Sequence, residues 1–155
     1  MARDEELYCL LVPLDGFKII LPRDLVVEVL NRGNIEPASG GPACLLGYRV
    51  RNQQSIPVVS LEVAAGLPSR PAGNKSRLLV VYALTGQLGT PCFAIMTLGY
   101  PYLLRIDPRT LKAHEDQKVT SGFVSRAKLG GEAPLIPDFD WIEGELATFK
   151  PAVPA

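Results

Sequence analysis

Histidine is almost missing from this chain of 155 residues: His114 is the only one. A catalytic triad or phospho-transfer centre wants a partnered histidine in an apolar pocket, and His114 sits in the polar stretch LKAHEDQK. It reads as a solvated loop residue. Cysteine is scarce too. Cys9, Cys44 and Cys92 are odd in number and form no CxxC pair, which speaks against a disulfide framework and against a metal site of the zinc type. Each lies in an apolar run, so they read as small buried hydrophobes in a reducing compartment. Aromatics make up only 7%, with Trp141 the single tryptophan, which leaves little for the stacking platforms of nucleic-acid binders. No charge excess exists: sixteen basic residues balance sixteen acidic ones, where nucleic-acid binding usually needs a basic surplus. No apolar run approaches the ~18 residues of a membrane-spanning helix. The start, MARDEELY, lacks the apolar core of a signal peptide. The expectation is a soluble cytoplasmic protein without direct membrane insertion.

Turn residues, by contrast, are plentiful. Glycine and proline number 14 each, which suits many short elements joined by turns and not long helices. Hydrophobic residues at 47% are enough for a packed core. The length is that of one domain. Residues 1–150 read as one domain and 151–155 as a frayed tail.

The pattern along the chain is that of strands. Leu7–Leu14 and Phe17–Leu21 are short apolar runs joined by Asp15-Gly16, a strong hairpin signal. In RDLVVEVL, Asp24 is a candidate cap for one helical turn, and Val26, Val27 and Val29 favour a strand after it. Residues 31–42 hold three glycines and two prolines and read as a loop. A second pair is expected from Ala43–Arg51 and Ser55–Leu61 around Asn52-Gln53-Gln54, with Pro57 needing an edge or a bulge. A helical turn follows over Glu62–Leu67. Leu78–Leu84 and Pro91–Leu98 form a third pair, Tyr102–Ile106 a further strand, and Gly122–Ala127 with Ala133–Ile136 a last hairpin around Gly130-Gly131. Pro108–Val119 reads as loop or ragged helix. At the end, Phe139, Ile142 and Leu146 recur at helical spacing behind a capping Asp138. The fold class is therefore mainly β, with the small-barrel spacing of strands and a short C-terminal helix.

Searches for chemistry along the chain come up short. Asp138, Asp140, Glu143 and Glu145 cluster, but the glycine and distal glutamate of a calcium loop are lacking; capping and a charged outer helix face account for them. Gly40-Gly41 and Gly130-Gly131 match no phosphate-binding fingerprint. Ser60 has no GxSxG elbow and reads as structural. The reading is a non-enzyme with no cofactor and no metal. Two stretches offer a binding surface: RDLVVEVL, and Tyr48-Arg49-Val50-Arg51, where alternation puts both arginines on one face.

The order of these pieces resembles the CheW family of chemotaxis coupling proteins. The residues that carry the resemblance are LLVPLDGFKIILP, VVEVL at 26–30, EPASGGPACLLG ending at Gly47, IPVVSLEVAAGL at 56–67, SRLLVVYALTG, CFAIMTLGYPYLLRI and the closing PDFDWIE. They span Leu7 to Leu146. The pattern is similar to the ChpC-type accessory members of type IV pilus systems, which serve twitching motility. In three places the chain departs from typical members. The usual arginine of an Asn-Leu-Arg-Gly turn falls on Asn52, with Arg51 beside it; the usual aspartate after the proline strand is Ser60; a later aspartate falls near Thr97.

The resemblance implies two intertwined SH3-like β-barrels with a hydrophobic seam between them. It implies a non-catalytic adaptor that couples the cytoplasmic tip of chemoreceptors to the regulatory domain of a CheA-type histidine kinase. Carried over residue by residue, Val26, Glu28, Val29, Arg51 and Asn52 would face the receptor. Leu46, Gly47 and Ile56 would face the kinase, with Gly47 allowing close backbone approach. The reading from the residues alone leaves an alternative open: an SH3- or OB-like barrel that binds peptide or nucleic acid.

Overall fold

The computed structural model describes residues 7–68, 73–107, 112–113, 120–129 and 131–148. His114, Gly130, most of Pro108–Val119 and the tail lie outside the described residues.

The Asp-Gly hairpin forms as β1 (Leu7–Pro13) and β2 (Lys18–Pro22). Gly16 takes φ +92, which a side-chain-bearing residue adopts only with strain. A 3-10 turn over Arg23–Leu25 leads into β3 (Val26–Asn31), so the helical turn and the β-branched run each take their preferred form. Asp24, however, is not a cap. It lies inside the turn; Pro22 holds the N-cap position and no side chain bonds there. A turn of three residues leaves too few free N–H groups in reach to favour a cap.

Next come β4 (Glu36–Pro37), β5 (Leu45–Arg51) and β6 (Gln54–Val59). The β5–β6 connection is tighter than the expected three residues. Gln54 pairs with Arg51, which leaves Asn52 and Gln53 as a two-residue loop, both at positive φ. Turns of that kind match the twist of the flanking strands, and asparagine tolerates the left-handed region. Pro57 is buried inside the sheet and not at its edge or a bulge. The adjoining β6–β8 ladder pairs at Val58 and Val59, so the missing N–H takes nothing from it.

The helical turn after β6 is α1 (Leu61–Ala64). Ser60 caps it, its hydroxyl accepting from the Val63 N–H at 3.2 Å. Then follow β7 (Arg77–Tyr82), β8 (Cys92–Thr97), β9 (Tyr102–Ile106), β10 (Lys112–Ala113), β11 (Phe123–Lys128), β12 (Leu135–Pro137) and the terminal helix α2 (Phe139–Ala147).

Among the described residues the strands make two sheets of six. One runs β10-β11-β12-β2-β1-β9 and the other β3-β7-β8-β6-β5-β4. The chain starts in the first sheet, builds the second, and returns to finish the first. The second sheet is rolled. Arg51 on β5 reaches Glu28 on β3, although β7, β8 and β6 lie between those strands in the hydrogen-bonding order.

Both sheets bury side chains on two faces, and alternation sorts them except at the bulges in β3 and β5. On β7, Leu78 and Val80 join Ile56, Val58, Cys92 and Ala94 on the concave face of the second sheet. Leu79 and Val81 point the other way, into the seam between the sheets. On β2, Ile20 faces a small cluster with Cys9, Ile106 and Ala127, while Ile19 and Leu21 enter the seam. Two-sided burial is why β7 reads as the unbroken apolar run LLVV. The seam is the largest cluster, with sixteen buried side chains against six and four, so the joint between the sheets is the main core. At 25 cal/mol per Å², roughly, burial of this kind is the chief favourable term.

Helix α2 closes the seam with Phe139, Ile142 and Leu146, as its spacing predicts. Asp138 caps it, its carboxylate accepting from the Trp141 N–H at 3.1 Å. Glu143 is a correction. It is not on a charged outer face but fully buried, at 0% exposure. A carboxylate can be buried there because neighbouring donors satisfy it.

Candidate functional site

The sequence-derived candidates gather on the second sheet, in two places. The first lies where β3 and β5 approach. Val26, Glu28 and Val29 are on β3, an edge strand, and each is partly buried. Strict alternation would put Val26 with Glu28 and oppose Val29 to them. A bulge between Val26 and Glu28 shifts the register, and Val26 and Val29 both pack against the seam cluster. Val27 and Leu30 turn into the concave core instead.

Across from β3 stands the β5–β6 hairpin. The Arg51 guanidinium grips one oxygen of Glu28, with Nε at 2.6 Å and Nη2 at 2.5 Å from Oε2. Arg49 follows the same direction: its Nε donates to the Arg32 carbonyl at 3.2 Å, in the segment after β3. The two arginines thus share a face, as alternation requires, and both tie β5 to the β3 side. Asn52 is exposed at the hairpin tip. The structure therefore gives the charged contact to Arg51 and a turn role to Asn52. Side-chain exposure of 20% for Arg51 and 39% for Glu28 keeps the pair in partly solvated surroundings, so its contribution is about 0.2–1 kcal/mol. Its value is positional: it ties the β5–β6 hairpin to β3.

The second place is different in kind. Ile56 is 1% exposed and belongs to the concave core. Gly47 is buried beneath β4: a Cβ built there would lie 2.1 Å from the Glu36 carbonyl oxygen. The close backbone approach that glycine allows is made by this chain's own β4. Leu46 packs partly against the same core and keeps some exposure.

The departures from the family pattern also have local accounts. Ser60 supplies the cap of α1. Thr97 is 2% exposed and its hydroxyl donates to the Gly99 carbonyl at 2.7 Å. Short polar side chains with satisfied bonds fit both positions.

Sequence reasoning missed Glu143. Its carboxylate accepts from the Leu84 N–H at 2.8 Å, the Thr85 N–H at 3.1 Å and the Thr85 hydroxyl at 2.9 Å. A signal was present. Glu143 is adjacent to Ile142 and three residues before Leu146, beside the apolar stripe and not opposite it. The acidic surroundings masked it.

The three cysteines are free and buried. Burial pushes the Cys9 and Cys44 thiols up, and the nearby Glu145 carboxylate adds to this at Cys44. The ordinary thiol loses its proton more readily, which disfavours either as a nucleophile. Among the described residues no three His, Cys, Asp or Glu gather as metal ligands, and no helix is long and apolar enough to cross a membrane.

Two six-stranded sheets with a shared seam, a terminal helix over that seam, and a charged pair joining β3 to β5 define a two-sheet β module. A model of the CheW-like domain matches residues 8–142, and the chain belongs to that family. The fold is similar to that of the scaffolding protein TtCheW from Thermoanaerobacter tengcongensis, with a TM-score of 0.72 over 86% of this chain and 89% of that one, at 19% sequence identity. No curated protein gives a sequence match.

Proposed function

We propose that this protein is a non-catalytic coupling scaffold that links the cytoplasmic tip of a chemoreceptor to the regulatory domain of a CheA-type histidine kinase. The system we assign it to is a type IV pilus chemosensory array in the cytoplasm, with residues 1–150 acting as one CheW-like domain. The observation that carries the reading is the family match over residues 8–142, joined by the edge strand β3, which turns partly buried Val26 and Val29 to the seam side and Glu28, paired with Arg51, to the other. A receptor tip is a helical hairpin. Its apolar stripe suits an edge strand that offers valines on one side and a charged pair on the other, the helix-in-groove mode of recognition. The kinase-facing surface is the part of β5 that stays exposed around Leu46, with Gly47 and Ile56 buried beside it.

Calorimetry with a receptor-tip fragment and the kinase regulatory domain tests this. Wild type should bind both. Glu28→Arg should weaken the receptor fragment by about tenfold or more and spare the kinase domain; Leu46→Ala should do the reverse. Binding to a single partner would replace coupling with an accessory role. Binding to neither, with both partners folded, would end the scaffold reading.

A further inference from the structure

Glu143 is the most deeply buried charge-bearing side chain among the described residues, and the partner-binding reading does not use it. Its three donors are neutral and all come from one short segment, the β7–β8 loop. That loop is built around the contact. The Gln87 side-chain amide donates to the Thr85 hydroxyl oxygen at 2.9 Å, and Leu88 packs on the seam. Beneath lie Phe93 and Phe139, edge to face at 5.4 Å between ring centres. Helix α2 is also tied to the first sheet, where the Asp138 N–H donates to the Gly122 carbonyl at 2.8 Å. A helix of nine residues is marginal by itself, so its order comes from these contacts.

We propose that α2 and the β7–β8 loop open and close over the seam as one latched unit, with Glu143 as the latch. The carboxylate holds the Leu84 and Thr85 N–H groups of the loop, and the loop in turn meets the helix at Gln87 and Gly144. Losing the carboxylate leaves two part-buried N–H groups without their acceptor on one side and frees the helix on the other. Leu84, 52% exposed, is then positioned from inside by a helix distant in sequence.

Hydrogen exchange read by mass spectrometry on the full chain tests this, with two variants of opposite sign. Glu143→Gln keeps the shape but turns an amide donor toward backbone donors. Exchange should rise about tenfold or more at Leu84, Thr85 and along α2, with under about twofold change in β1 and β2. Gly144→Ala removes helix-interior glycine, and its Cβ would meet Gln87 at an ordinary 3.5 Å. It should slow exchange by about fivefold in α2, and by the same factor at Leu84 and Thr85. A uniform rise across the chain in Glu143→Gln would make Glu143 a general stability residue and overturn the latch. Slowing confined to α2 in Gly144→Ala would show that helix and loop open separately, and would overturn it as well. The Gly144→Ala arm stands even if Glu143→Gln fails to fold.

Discussion

The two sheets have equal strand numbers but opposite origins. The second is assembled from β3 to β8, one continuous stretch of chain, and carries its own concave core. The first joins β1 and β2 to β9–β12, so it exists only once the two ends of the chain have met. The strand pair that closes it, β2 with β12, is parallel and pairs at Leu135 and Ile19 alone. The difference shows where each sheet draws its stability. One is closed within a single stretch of chain, by hairpins and by the β3–β7 and β6–β8 pairs. The other rests on the seam, into which both sheets send half of their side chains.

Breaking the seam is the strongest test of that contrast. Ile142→Ala should lower stability by about 2–5 kcal/mol, and both sheets should unfold in one transition, seen as coincident fluorescence and circular-dichroism curves in denaturant. Two separated transitions would show that the second sheet stands without the first. Gly47→Ala acts within the second sheet alone. Its Cβ must displace β4, for about 1–3 kcal/mol in denaturant melts, with no added exchange in β1 and β2.

The Glu28–Arg51 pair is a smaller effect. A double-mutant cycle should give a coupling of about 0.2–1 kcal/mol that falls in high salt. The charge-swapped pair Glu28→Arg with Arg51→Glu should recover most of it. The smallest change concerns Cys44. Its folded-state thiol is raised from 9.0, so the contribution to stability is complete below that value and fades as pH climbs through the raised one. Alkylation of the native protein near pH 8 should accordingly be slower at Cys44 than in the unfolded chain, as mass spectrometry would show.

Local signals in the sequence were strong wherever one element speaks for itself. Asp15-Gly16 marks a hairpin, the β-branched run after Leu25 marks β3, and Asp138 ahead of Phe139, Ile142 and Leu146 marks α2. Signals failed where the answer depends on a distant neighbour. Ile56 carries no local sign that the roll of the sheet encloses it. Gly47 carries none that β4 takes up the close approach its missing Cβ allows. Asn52 drew attention as the place of a missing arginine, while Arg51 makes the contact with Glu28. Glu143 was read as a surface acid, because nothing near it in the chain announces that Leu84 and Thr85 will bring three donors to it.

By itself, then, the sequence determined the strand-rich composition, the turns, the caps and the order of elements that places the chain in its family. These follow from backbone preferences and side-chain periodicity over a few residues. Only the tertiary structure decided which strands pair across the chain, which face of each meets the seam, and which charges are paired or buried. Those outcomes depend on contacts between residues tens of positions apart, where packing and the satisfaction of polar groups outweigh local preference.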